Sequence, residues 1–180
     1  MRQPYGRSRS AGEAGGYGVL TAVAGFDDIP ADPRIDAVVA MAPVVPPEAK
    51  GVDVPTMVIS GTLDTSTTIK EQTERAWKAI PGRPLYRVDL KGAGHHSFDD
   101  VCFYQDLLPS FPDLPDVIVE YVEDYATGAC TPKHLEIGEA HRLIDRYAIG
   151  FLERYVAGEK SAAKLLKRTE PKIVALQVKR

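Results

Sequence analysis

The chain has 180 residues, 44% of them apolar, enough for one domain with a sizeable core. Its net charge of −3, with acids and bases interspersed, offers no basic stripe for nucleic acid and no polybasic membrane patch. Arg2, Arg7 and Arg9 have no apolar run behind them to make an export signal, and no run elsewhere is long enough to span a bilayer, so the chain is expected to be soluble, its compartment left open.

Residues 15–25 are small and apolar, with Tyr17, Leu20, Val23 and Ala24 at helical spacing after a glycine pair, which predicts a short buried helix. Turn chemistry at 27–34 leads into 35–43, a nearly continuous apolar run ending in Pro43 that reads as a strand buried on both faces. After a loop at 46–55, residues 56–60 read as a second buried strand. Residues 69–80 read as an amphipathic helix with Ala76, Trp77 and Ile80 toward the core, ended by Pro81-Gly82. A third strand is expected at 85–90; its alternation of Leu85, Arg87 and Asp89 against Tyr86, Val88 and Leu90 suggests an exposed position near the sheet edge. Strands joined through a helix are expected to run parallel.

Residues 98–131 form a long connection whose one plausible helix is 115–125. Residues 139–157 carry Leu143, Ile144, Tyr147, Phe151, Leu152 and Tyr155 in one helical stripe, closed by Gly158. Residues 159–180 are a Lys-rich charged tail, expected as surface helix or disordered. The chain is thus one unit over 1–158 plus a tail, of α/β class, with a short, mainly parallel sheet flanked by helices.

Chemistry concentrates in Gly92-Ala93-Gly94-His95-His96-Ser97-Phe98, a glycine-rich turn directly after the third strand. A catalytic base must present one ring nitrogen to a reacting group and the other to an orienting acid, and a loop at a strand's C-terminal end leaves room for both. Asp64 closes the preceding strand in the same way, and in a parallel sheet both ends lie on the edge where ligands of open α/β sheets bind. The alternative for Asp64 is a turn or cap residue, the commoner use of such an aspartate. His134 and His141, in the later loop and helix, are expected at the surface. No metal site is expected: His95 and His96 are adjacent rather than at ligand spacing, and no cysteine pair supports zinc. Cys102 and Cys130 either pair, closing a loop of about 28 residues worth roughly 3 kcal/mol, or remain buried thiols.

The order helix, strand, Asp loop, helix, strand, His loop, helix resembles the C-terminal half of an α/β-hydrolase, where acid and base arrive in this order. GYGVLTAVAG, DPRIDAVVAMAP, VPTMVISGTLD, GAGHHSF followed by DDVC, and HRLIDRYAIGFLERYVAG resemble bacterial hydrolases of the predicted dienelactone hydrolase and platelet-activating-factor acetylhydrolase group. The likeness runs from about residue 11 to 158. It implies a carboxylic-ester hydrolase without cofactor, acting on a small-molecule ester, with Asp64 as triad acid, His95 as triad base and His96 as a supporting neighbour. It also implies a Cys102–Cys130 disulfide, since relatives are often exported.

In those relatives the first helix follows a nucleophile elbow, Gly-x-Ser-x-Gly-Gly-Tyr. The matching residues here are Ala11-Gly12-Glu13-Ala14-Gly15-Gly16-Tyr17, which put Glu13 where the serine is expected. A glutamate is one methylene longer than the aspartates that act as nucleophiles in this fold, so Glu13 reads rather as a residue that opens the helix near its positive end, and Ser8 and Ser10 are out of register with the elbow. The resemblance therefore implies a truncated or frame-shifted hydrolase domain, without the N-terminal half, the elbow serine and one oxyanion donor, and hence inactive. The alternative is a non-catalytic fragment or pseudoenzyme acting through association, including self-association through an uncovered sheet edge.

Overall fold

The computed structural model describes residues 15–167 and 169–180. Three parallel strands, β1 (Val38–Met41), β2 (Thr56–Gly61) and β3 (Leu85–Leu90), and one antiparallel strand, β4 (Ile173–Lys179), form a sheet in the order β1-β2-β3-β4. The protein is α/β, with a mostly parallel sheet covered by helices on both faces.

Alternation of side chains along a strand sorts the core into two layers. Val39, Met57, Ile59, Tyr86, Val88 and Leu90 face helix α5 (Ile137–Tyr155), which buries Leu143, Ile144, Tyr147 and Phe151 against them. Val38, Ala40, Val58 and Leu85 face the other way, against Val19, Leu20 and Val23 of α1 (Gly15–Ala24) and Ala76 of α2 (Glu74–Ala79). Continuous apolar runs are what a sheet covered on both faces requires. A π-helical turn, Ile69–Thr73, leads into α2, so the helix expected at 69–80 exists with a widened first turn. Its entry is capped by Thr68, whose hydroxyl accepts from Glu71 N–H at 3.2 Å. At α5 the Glu136 carboxylate does the same for Gly138 and Glu139 N–H at 2.9 and 2.8 Å.

Three sequence expectations are corrected. Strand β3 is interior, paired with β2 and with β4, and of its residues only Arg87 is not fully buried. Its polar alternation is absorbed internally: Arg87 Nη2 lies 2.6 Å from Asp89 Oδ2 on the same strand face, so the buried Asp89 carboxylate is paired with a half-buried guanidinium. The segment after Gly158 is not a surface helix or a disordered tail. It makes a 3-10 helix, Lys160–Lys167, that buries Ala162 and Leu166, and then strand β4. Glu170 pairs with Arg146 of α5, and Lys179 sits over the Trp77 ring at 4.5 Å, tying the strand to both helical layers.

The third correction lies in the long connection after the His turn. Besides α4 (Asp116–Ala126) it holds a second helix, α3 (Val101–Leu107), which runs into a 3-10 turn, Leu108–Ser110. Cys102 of α3 is bonded to Cys130, beyond the end of α4. Around the bond Val101, Ala126 and Ala129 make a small separate core.

Candidate active site

Asp64 and His95 follow the C-terminal ends of neighbouring parallel strands, β2 and β3. Their loops bring the side chains together, with His95 Nδ1 3.0 Å from Asp64 Oδ2. The two carboxylate oxygens play different parts. Oδ1 accepts from the backbone N–H of Ser66 and Thr67 at 2.8 and 2.7 Å, fixing the turn; Oδ2 faces His95 and the Thr67 hydroxyl, 2.7 Å away. Turn residue and partner of an imidazole are thus two halves of one side chain rather than rival readings.

The Asp64 side chain is fully buried. Burial pushes its pKa up, but the hydrogen bonds from His95 and Thr67 outweigh that and hold the carboxyl below its ordinary 3.8. It is therefore ionised at neutral pH and accepts only, so the hydrogen on the Nδ1–Oδ2 line belongs to the imidazole. In neutral His95 this selects the Nδ1–H tautomer and gives the basic lone pair to Nε2. Thr67 Oγ1, 3.3 Å from His95 Nδ1 and 3.0 Å from Ala42 O, braces the pair against the end of β1. Sequence reasoning passed over Thr67; an Asp-x-x-Thr turn after a strand is the signal that points to it.

His96 supports the same loop. Its Nδ1 lies 2.7 Å from Asp99 Oδ2, and its ring packs edge-on to His95 at 5.2 Å and against Tyr125 at 4.5 Å, with Tyr121 a further 4.2 Å along. The expectation that His134 and His141 are surface residues is corrected: both are partly buried. His141 Nε2 donates to Asp99 O at 3.1 Å, and His134 Nδ1 lies 2.7 Å from Thr131 Oγ1. Burial, helped by Lys133, pushes the His134 imidazole below its usual value.

The loop also rests on a glycine contact. A Cβ on Gly94 would fall 1.9 Å from Gly128 O, where backbone meets backbone, and one on Gly128 would fall 2.9 Å from Cδ2 of the His96 ring. Gly128 lies two residues before Cys130. The disulfide thereby fixes the turn on which the His loop leans.

A cleft of about 580 Å³ opens beside the pair, with Leu63, Ser66, His95, His96, Tyr125 and His134 in its walls. Among the described residues no group of three or more His, Cys, Asp or Glu is placed to hold a metal ion, and no helix is long and apolar enough to cross a membrane. Glu13, Ser8 and Ser10 lie outside the described residues. No protein-family model and no curated protein matches this chain.

Proposed function

We propose that this chain carries the acid and base of a carboxylic-ester hydrolase of α/β-hydrolase type, resembling the dienelactone hydrolase and platelet-activating-factor acetylhydrolase group. One observation carries the reading: an ionised, buried Asp64 bonded at 3.0 Å to His95 Nδ1, both at the C-terminal edge of a parallel sheet and in the order acid, then base. In that chemistry a serine oxygen attacks the acyl carbon while His95 Nε2 takes its proton. The imidazolium, steadied by Asp64, then returns the proton to the leaving alkoxide, and water repeats the sequence on the acyl-enzyme.

The resemblance aligns Glu13 with the attacking serine. A carboxylate there supplies no hydroxyl proton for His95 to remove, so this sequence turns over esters at or near the uncatalysed rate. A second reading, association without catalysis, is favoured by the exposed apolar face of the α3–α4 hairpin.

Hydrolysis of p-nitrophenyl butyrate by the native chain, by Glu13→Ser and by His95→Ala tests the reading. All three are expected near background: Glu13 offers His95 no hydroxyl proton, His95→Ala removes the base, and a serine introduced by substitution alone still needs its oxyanion held by aligned donors, each worth about 2.7–4 kcal/mol. Robust native turnover that vanishes in His95→Ala would keep the base and overturn the assignment of Glu13. Robust turnover that survives His95→Ala would overturn the acid–base pair itself.

A further inference from the structure

The α3–α4 hairpin buries little of its apolar surface. Val101 and Cys102 of α3 and Ala126 of α4 turn inward, whereas Phe103, Tyr104, Phe111, Val117, Ile118 and Tyr121 are each at least 45% exposed. Between the two helices lies a groove of about 280 Å³ whose lining, including Tyr104, Leu107, Phe111, Leu114, Ile118 and Val122, is wholly hydrophobic in residue type. Isolated exposed apolar residues are ordinary on a protein surface; a continuous apolar groove is not.

The segment that builds it carries charge of one sign. Residues 92–132 contain Asp99, Asp100, Asp106, Asp113, Asp116, Glu120, Glu123 and Asp124, and no lysine or arginine. Asp106 and Asp113 alternate along the chain with the lining residues Leu107, Phe111 and Leu114. Such a field repels an anionic lipid surface, and it repels a second copy of the same hairpin, which would bring its own carboxylates to the interface.

We propose that this groove docks a basic amphipathic helical segment of a partner protein. Apolar side chains spaced i, i+4 and i+7 on that segment enter between α3 and α4, and lysines or arginines on its flanks face the hairpin's carboxylates. The inference does not rest on ester chemistry. The hairpin's anchoring suits it to such docking, because the Cys102–Cys130 bond ties α3 to the turn that ends α4 without a large core, so the groove stands preformed.

The test uses the full oxidised chain and a fluorescein-labelled 14-residue peptide of leucine and lysine patterned as an amphipathic helix. Fluorescence anisotropy is expected to show saturable binding that weakens with salt. A peptide of the same composition in scrambled order should bind at least about tenfold more weakly. So should the native peptide to the Phe111→Ser/Ile118→Ser double variant, which changes exposed side chains and no charge; its fold is checked by thermal melting. Asp106→Asn/Asp113→Asn should lower affinity severalfold and flatten the salt dependence. Equal binding of the scrambled peptide, or undiminished binding by the Phe111→Ser/Ile118→Ser variant, overturns the proposal. Two results replace the partner: sedimentation with phosphatidylcholine vesicles assigns the groove to a lipid surface, and concentration-dependent dimerisation lost in the double variant assigns it to a second copy. Either overturns the proposal.

Discussion

The sheet body and the α3–α4 hairpin are held by different physics. In the body two apolar layers sandwich the strands, and Tyr147, Phe151, Met57 and Ile59 are completely buried. In the hairpin a handful of small residues gathers round one disulfide, and large side chains such as Phe111 and Ile118 face outward. Burial of apolar area stabilises the first, and a covalent limit on the unfolded chain stabilises the second. His95 sits where they meet: its partner Asp64 belongs to the body, while the Gly128 turn that supports its loop belongs to the hairpin. A region can thus be rigid where it touches a site and remain apolar and open on its far side.

That contrast is broken most severely by truncating the core. Phe151→Ala removes a fully buried ring that packs edge-on against Tyr86 at 5.6 Å, and should destabilise by about 3–5 kcal/mol in chemical denaturation. Phe111→Ala, in the hairpin, should change stability by less than about 0.5 kcal/mol. Comparable losses in the two variants would show that Phe111 is packed as tightly as the sheet core rather than facing outward.

Removing the covalent limit should act on the other region. For a separation of 28 residues, Cys102→Ser/Cys130→Ser is expected to remove about 3–4 kcal/mol in the loop-entropy model. Amide hydrogen exchange should place the loss in α3, α4 and the Gly128 turn, and leave the amides of β2 and β3 protected. Equal loss in the strands would mean that the two regions open as one.

A smaller effect separates them by pH. Because the Asp64 carboxyl is held below its ordinary 3.8 in the folded protein, its contribution is fully present above that value and is lost as pH falls through the lowered folded one. Asp64→Asn should cost about 1.5–3 kcal/mol at pH 7, the range for hydrogen bonds to a charged group, and should lessen the loss of stability between pH 5 and 2. Urea midpoints across that range check it; an unchanged acid dependence in the variant would place the sensitivity elsewhere.

What the sequence made legible follows the same division. Strands β1 to β3, α1 and α5 announce themselves through continuous or periodic apolar runs, and Asp64 and His95 are visible as polar residues closing two of those strands. Strand β4 is not visible: Lys172, Lys179 and Arg180 around Ile173–Val178 give a charged tail, and its partner β3 lies more than eighty residues earlier. Helix α3 is too short for a periodicity to register. Thr67, Asp99, Tyr125 and Gly128 enter the site through contacts that exist only once the loops are folded, although the resemblance implied the Cys102–Cys130 bond that holds one of them.

The central claim is that an ionised Asp64 orients His95 so that Nε2 is the base. Long-range proton–nitrogen correlation spectra of His95 test it without requiring turnover. In the uncharged imidazole, followed as the pH is raised until the ring has lost its second hydrogen, the account predicts the remaining hydrogen on Nδ1, with Asp64→Asn weakening that preference. An Nε2–H tautomer, or a tautomer unchanged by Asp64→Asn, would contradict it.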